Sequence, residues 1–164
     1  MTRPPTAQLF GTDLVLTRTF RAPIPDVWAS VTDPARTARW FGPWEGDAAP
    51  GRTIKVQMAY EDPAGWMDMR IDACEPPQRL ALSARDEAGT WVIELLLAER
   101  DGVTELRFVQ HLETTDGIGQ IGPGWEFYLD MLVAARDGTA QPSFDDYYPA
   151  MEPYFHRLRD DPRD

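Results

Sequence analysis

The chain has 164 residues, a length that suits one domain with a substantial core and is too short for two. Hydrophobic residues make up 43% and charged residues 26%, values typical of a soluble globular protein. The formal net charge of -11 argues against nucleic acid as a partner, because phosphate binding needs clustered cations. No apolar run is long enough for membrane insertion.

The N-terminal region and the cysteine content bear on the cellular compartment. The first residues, MTRPP, lack the apolar core of a secretory signal. Cys74 is the single cysteine of the sequence, so an internal disulfide cannot form. Both features predict a cytoplasmic protein.

The first elements in chain order are a strand and two short helices. After a loose start over residues 1–12, residues 14–20 (LVLTRTF) are rich in β-branched and aromatic side chains and predict a strand. Apolar residues at helical spacing over residues 24–31 predict a helix with one buried face. Asp33 and Pro34 have the N-cap and first-turn chemistry that begins a second, short helix.

Five further strands are predicted after a glycine-rich loop over residues 42–52. Apolar and polar residues alternate over residues 54–60, 67–72, 80–82, 91–97 and 106–112. A period of two is typical of strands with one buried face and favours an antiparallel sheet. Turn sequences such as Asp101-Gly102 support hairpins between these strands.

A long helix and an aromatic tail complete the chain. Pro123 lies near the predicted start of the helix, and Asp137-Gly138 marks its end. Its apolar surface is wider than one stripe, so we expect cover on two sides. Aromatic residues recur over residues 141–164 at roughly helical spacing. This tail could pack on the same domain, contact a second copy of the chain, or form a lid over a ligand.

Three separated motifs resemble a known superfamily. Residues 20–28, FRAPIPDVW, resemble the F-x-A-P-x-x-x-V-W opening of START-like (SRPBCC) proteins. Residues 32–34, TDP, and 40–43, WFGP, resemble the T-D-P … W-x-G-P continuation. Residues 124–130, GWEFYLD, resemble the G-W-x-x-x-L-D of the C-terminal helix. Together the motifs are similar to the branch named after the activator of heat shock protein 90 ATPase.

The resemblance implies a helix-grip fold of the α+β class. In that fold a curved six-stranded antiparallel sheet wraps around a long C-terminal helix, two short helices follow the first strand, and a cavity lies between sheet and helix. We expect residues 1–140 to form this domain and residues 141–164 to be an extension packed on it. The superfamily includes lipid carriers, hormone receptors and polyketide cyclases, so the ligand stays open.

Other motifs favour neither a cofactor nor a metal. Residues 117–122 read G-x-G-x-x-G, but a dinucleotide site needs a parallel βαβ unit, so we interpret them as a flexible loop. His111 and His156 are far apart in sequence, and strand alternation turns His111 towards solvent. Cys74 is expected to be a buried, inert thiol. We therefore assign no cofactor, no metal site and no catalytic residue.

The tryptophan and methionine content is the most informative feature of the sequence. Six of each could form adaptable walls for an apolar ligand, although core packing would use them equally well. Gln110 falls on the apolar face of its strand, where its amide either bonds to backbone or water or orients a ligand. The candidate ligand-binding residues are Trp40, Trp44, Met58, Met67, Met69, Trp91, Phe108, Gln110, Trp125 and Leu129.

The favoured hypothesis is binding of a small hydrophobic or aromatic molecule between the sheet and the helix, without an assigned catalytic step. One alternative is a cyclase- or hydrolase-type enzyme with a carboxylate of raised pKa in the same cavity. The other is a protein-interaction module, chaperone-linked or forming a homodimer through the tail at residues 141–164.

Overall fold

The structure is a computed structural model that describes residues 4–61, 64–86 and 89–161. Over these residues the chain forms eight strands and four α-helices, with a 3-10 turn before the last helix. In chain order they are β1 (Gln8–Phe10), β2 (Asp13–Phe20), α1 (Ile24–Thr32), α2 (Pro34–Thr37), β3 (Trp44–Glu45), β4 (Thr53–Gln57), β5 (Trp66–Glu75), β6 (Arg79–Asp86), β7 (Gly89–Arg100), β8 (Val103–His111), α3 (Ile118–Asp137), the turn (Phe144–Asp146) and α4 (Glu152–Asp160).

The strands form one antiparallel sheet in the order β1-β2-β8-β7-β6-β5-β4-β3. Consecutive hairpins build β4 to β8, and β2 then pairs with β8, so that the first long strand lies beside the last one. The predicted α+β helix-grip class and the antiparallel sheet are confirmed. The predicted count of six strands was too low, because β1 and β3 have three and two residues, too few for alternation to reveal them.

The core lies between one face of this sheet and α3. Leu16 on β2, Leu95 on β7 and Phe108 on β8 are buried on that face and belong to the same cluster as Leu129 and Leu132 of α3. Burial of alternate strand residues against one helix stripe is the packing that the sequence periodicities predict. None of the helices among the described residues is long and apolar enough to cross a membrane.

Helix α3 begins at Ile118, five residues before Pro123, so the prediction of a flexible loop over residues 117–122 was wrong. Gly119 and Gly122 lie inside the helix, and α4 packs directly against both of them. A Cβ atom added to Gly122 would lie 2.2 Å from the nearest ring atom of Phe155. The glycines thus give the two helices room for close contact, and this contact offsets their low helix propensity.

Side chains of the segment after α3 contact α3 and the chain around Ala7. Tyr147 is fully buried and donates a hydrogen bond of 2.7 Å to Asp130 of α3. Tyr154 of α4 donates to the carbonyl oxygen of Ala7 at 2.6 Å, and Phe155 is fully buried. These contacts connect Tyr147 to α3 and α4 to the N-terminal segment around Ala7, and the division into a domain over residues 1–140 and an extension over residues 141–164 stays a prediction. A homodimer through the same tail stays a prediction.

The polar side of α3 is buried by the N-terminal segment. Glu126 is 1% exposed and accepts hydrogen bonds from the backbone nitrogens of Thr6 and Ala7 at 2.5 and 2.9 Å. Arg18 of β2 bridges Glu126 at 3.0 Å and Asp130 at 3.1 Å. This network connects Thr6 and Ala7 to β2 and α3, so α3 is covered on its polar side as well as on the side that faces the sheet.

Candidate ligand-binding site

An apolar cavity of about 150 Å³ lies between the sheet and α3, and we call it the inner cavity. Its walls come from α1, the segment between α2 and β3, the strands β4 to β8, and α3. The structure places six of the ten predicted ligand-binding residues in these walls: Trp40, Trp44, Met69, Phe108, Trp125 and Leu129.

Two of these tryptophans are held by the last turn of α1. The indole nitrogen of Trp40 donates to the carbonyl oxygen of Ser30 at 2.9 Å, and that of Trp44 donates to Thr32 at 2.8 Å. A helix end leaves such carbonyls without an intrahelical partner, so the indoles satisfy groups that would otherwise need water. The tryptophans therefore present ring surface to the cavity, with their polar atoms already bonded.

A second cavity, the outer cleft, has a volume of about 690 Å³ and shares four wall residues with the inner cavity. We call these shared residues, Phe41, Met69, Ile93 and Trp125, the partition. The rings of Phe41 and Trp125 stack at 6.1 Å between centroids with 3° between their planes. The partition thus combines two stacked aromatic rings with the side chains of Met69 and Ile93, and it borders both the inner cavity and the outer cleft.

The outer cleft contains the remaining hydrophobic candidates. Met58, Met67 and Trp91 line it and not the inner cavity. It also brings together residues that the sequence analysis did not select: Tyr60, Glu61, Trp66, Asp86, Tyr128 and Phe144. Most of these lie in loops or at strand ends, where no periodicity indicates which way a side chain points.

Gln110 lies in neither cavity wall. It is 1% exposed, and its Oε1 accepts a hydrogen bond of 2.7 Å from Nε1 of Trp125. Its buried position agrees with the sequence analysis, but its partner is a side chain that the analysis did not consider. The observed contact makes Gln110 a support for the partition.

The two cavities differ in electrostatics. Among the described residues that line the inner cavity there is no Asp, Glu, His, Lys or Arg. Burial raises the pKa of the Cys74 thiol there, which keeps it protonated and unreactive. In the outer cleft, the hydroxyl of Tyr128 donates to Glu61, and burial together with this contact raises the pKa of Tyr128. Of the two cavities, only the outer cleft therefore has charged side chains among its described wall residues.

His111 lies on the opposite face of the sheet from Phe108, as alternation predicted, but two carboxylates bracket it. Its Nδ1 lies 2.7 Å from Asp13, and its Nε2 lies 2.7 Å from Glu94. The hydrogen bond to Glu94 is the main cause of a raised His111 pKa. Within residues 4–61, 64–86 and 89–161, no group of three or more His, Cys, Asp or Glu side chains is placed to hold a metal ion.

Comparison with known proteins identifies the family. The family model described as "Activator of Hsp90 ATPase homolog 1-like protein" matches residues 21–136. The chain belongs to this family. Membership confirms the resemblance that the three sequence motifs indicated, including its placement in the branch named after the chaperone activator. The match covers the elements from α1 to the last turn of α3, and so includes the described wall residues of both cavities except Phe144 of the outer cleft.

Solved structures similar to this family member include CalU16 from Micromonospora echinospora, with 25% identity and a TM-score of 0.75 over 95% of this chain and 96% of CalU16. A Bordetella parapertussis protein has 23% identity and a TM-score of 0.75 over 96% and 95% of the two chains. DynU16, from the dynemicin biosynthetic locus, has 20% identity and a TM-score of 0.67 over 81% of this chain and 50% of DynU16. The comparison with curated proteins found no match.

Proposed function

We propose that this protein binds a small hydrophobic or aromatic molecule and holds its apolar part in the inner cavity. The observation that carries the proposal is the cavity of about 150 Å³ whose described walls carry no charged side chain. An apolar cavity of roughly this size stays dry and takes up a molecule such as benzene. The inner cavity therefore fits one aromatic ring or a short branched alkyl group.

The polar atoms of the walls support an apolar occupant. The indole nitrogens of Trp40, Trp44 and Trp125 all donate to protein acceptors. A polar group on the ligand would lose its hydrogen bonds to water and gain none from these indoles, which makes its entry costly. Aromatic rings and the Met69 side chain offer dispersion contacts with a flat, polarisable molecule.

The same walls favour binding over acid–base catalysis within the inner cavity. A cyclase or hydrolase of the kind considered from the sequence would need a titratable carboxylate close to the reacting atoms. The described lining residues include none, and the Cys74 thiol has a raised pKa. The proposal is accordingly a binding function of the inner cavity.

Toluene binding tests this proposal. Isothermal titration and thermal unfolding with toluene should show saturable binding and a higher Tm for the wild-type protein. Val56→Phe, which places a ring in the cavity wall, should abolish binding. Val92→Phe is the matched control, because Val92 neighbours the cavity-lining Ile93 on β7 and points to the opposite face.

Two results would contradict the proposal. One is the absence of toluene binding to the wild-type protein, and the other is equal binding by Val56→Phe and the wild type. If toluene binds, native mass spectrometry of gently purified protein would identify the chemical class of any compound that remains bound.

A further inference from the structure

A further cavity, which we call the arginine pocket, has a volume of about 290 Å³ and lies where α1, α2 and the last turns of α3 meet. Its described wall residues are Asp26, Ser30, Arg36, Arg39, Trp40, Leu132, Ala135 and Arg136. Trp40 also borders the inner cavity, and the outer cleft shares none of these described residues. The proposed function therefore leaves this pocket without a role.

The arginine pocket concentrates positive charge in a chain whose net charge is -11. Three arginines line it together with one carboxylate, that of Asp26, and its described walls contain no other titratable side chain. Asp26 stays ionised near neutral pH, because a hydrogen bond from Arg136 and a second one from Arg36 lower its pKa. Three guanidinium charges against one carboxylate leave an excess of two positive charges in the described walls.

Asp26 holds two of the arginines next to each other. Its Oδ1 lies 3.1 Å from Nη1 of Arg36, and its Oδ2 lies 2.8 Å from Nη2 of Arg136. Both guanidinium groups therefore adjoin the same carboxylate. Nη1 of Arg136 also donates to the hydroxyl of Ser30 at 2.7 Å. These contacts position two of the positive charges before any ligand binds, which lowers the entropic cost of binding.

The arginines retain hydrogen-bond donors for a ligand. Nε and Nη2 of Arg36 and Nε of Arg136 form no hydrogen bond within the described part of the chain. The exposed side chain of Arg39 forms neither a hydrogen bond nor an ion pair with any residue that the structure describes. A guanidinium group with free N–H groups can bind two oxygens of a phosphate or carboxylate at once.

We propose that the arginine pocket binds the phosphate group of a small molecule, either a phosphate monoester or free inorganic phosphate. The phosphate of a monoester carries a charge of about -2 at neutral pH, which matches the excess charge of the walls, whereas a carboxylate supplies half as much. The pocket is larger than the inner cavity and so has room for an organic group beside the phosphate. The assignment does not rest on the proposed function, because Trp40 alone borders both cavities among their described residues.

Phenyl phosphate is the probe that tests this proposal, and isothermal titration at low ionic strength measures its binding. We expect saturable binding that is about tenfold tighter than that of benzoate, a monoanion that also carries a phenyl ring. Inorganic phosphate distinguishes the two sources of the group. Equal affinity for both phosphates supports the free ion as ligand, and tighter binding of phenyl phosphate supports a monoester.

The pH dependence of binding reports the charge of the bound phosphate. The second pKa of a phosphate monoester is about 6, so a change from pH 7.5 to pH 5 removes about one of its two negative charges. The arginines keep their charge over this range, and Asp26 stays ionised. Phenyl phosphate should therefore bind several-fold more weakly at pH 5, whereas an unchanged affinity would contradict recognition of the dianion.

Two matched variants locate the site. Arg39→Gln removes a charge that has no partner among the described residues, so the fold should be unchanged. We expect this variant to bind phenyl phosphate about five- to tenfold more weakly. Arg107→Gln removes the same charge from an exposed position of β8 outside the pocket and should leave the affinity unchanged. Circular dichroism and Tm values establish that both variants are folded.

Distinct outcomes separate this proposal from the proposed function. The phosphate site is overturned if phenyl phosphate fails to bind, if benzoate binds as tightly, or if Arg39→Gln and Arg107→Gln have the same effect. Val56→Phe, which fills the inner cavity, should bind phenyl phosphate as the wild type does, and loss of binding would contradict the assignment to the arginine pocket. Absence of toluene binding together with Arg39-dependent binding of phenyl phosphate would overturn the inner-cavity proposal and support the phosphate site.

Discussion

The indole Nε1 of Trp125 lies 2.7 Å from Oε1 of Gln110, and this hydrogen bond links α3 to β8 inside the core. It orients a ring that lies 4.4 Å from Phe108 and stacks with Phe41. An aromatic ring without a polar tether could rotate within such a cluster. The position of the partition therefore depends on a buried polar pair.

Replacement of Gln110 by Leu should destabilise the fold. The substitution removes the acceptor and leaves the Trp125 indole without its partner, at a cost of about 1–3 kcal/mol in the free energy of unfolding. Urea denaturation measures the loss. A double variant with Trp125→Phe should lose less than the sum of the single variants, because neither member of the pair remains. Strictly additive losses would show that the two residues act independently.

The substitution Gly122→Ala should weaken the contact between α3 and α4. Its Cβ would meet the Phe155 ring at 2.2 Å, so we expect a loss of about 1–3 kcal/mol in thermal or urea unfolding. Gly124→Ala in the same helix is the control, since an added Cβ meets nothing within 4 Å there. This control should be neutral or stabilise by up to about 1 kcal/mol. Equal effects of the two substitutions would contradict the packing argument.

The His111 contacts should make stability depend on pH. Because hydrogen bonding to Glu94, with a further contribution from Asp13, raises the folded-state pKa above 6.5, protonated His111 stabilises the fold. The contribution is complete below the unfolded pKa and is lost as pH rises through the folded pKa. The free energy of unfolding of the wild type should therefore exceed that of His111→Gln by a larger amount near about pH 6 than near pH 9.

Salt provides a second check on this interaction. His111, Asp13 and Glu94 are partly exposed, so added salt should reduce the pH-dependent difference by screening. A difference that is the same at both pH values, or one that grows at alkaline pH, would be inconsistent with protonated His111 as the stabilising form.

Neutralising Glu126 should loosen the N-terminal segment. Glu126→Gln removes the buried charge that pairs with Arg18 and that accepts hydrogen bonds from the backbone nitrogens of Thr6 and Ala7. We expect the free energy of unfolding to fall by about 3 kcal/mol. Urea unfolding measures the total, and hydrogen exchange at Ala7 reports the local opening. Glu105→Gln, at an exposed site, should change stability by no more than about 0.5 kcal/mol. Unchanged exchange at Ala7 in Glu126→Gln would contradict this role.

Local sequence signals were sufficient for most of the fold. The Asp33-Pro34 pair begins α2, with the Asp33 side chain accepting from the Ala35 nitrogen at 3.0 Å. Gly138 ends α3 at a φ of 69°, a conformation that glycine adopts without strain. Such signals act within a few residues and can be recognised from the sequence alone. The start of α3 could not be recognised in this way, because its first turns contain glycines whose helical conformation is stabilised by packing against α4, more than thirty residues away.

The site was predictable as a set of apolar residues but not as an arrangement. Trp91 and Met67 lie on the expected sheet, yet they line the outer cleft and not the inner cavity. Alternation gives the face of a strand on which a residue lies, but not which of two adjoining cavities it meets. Glu61 was not selected, because nothing in its loop sequence indicates a contact with Tyr128, 67 residues further along the chain.

The sequence by itself determined the antiparallel sheet, the long helix and the family, because short-range periodicity and motif spacing specify each of them. Tertiary structure alone decided that Gln110 bonds to Trp125, that Phe155 fills the space over Gly122, and that two carboxylates share one aromatic cleft. These relationships join residues that are distant along the chain, so only the packed backbone brings their atoms within contact distance.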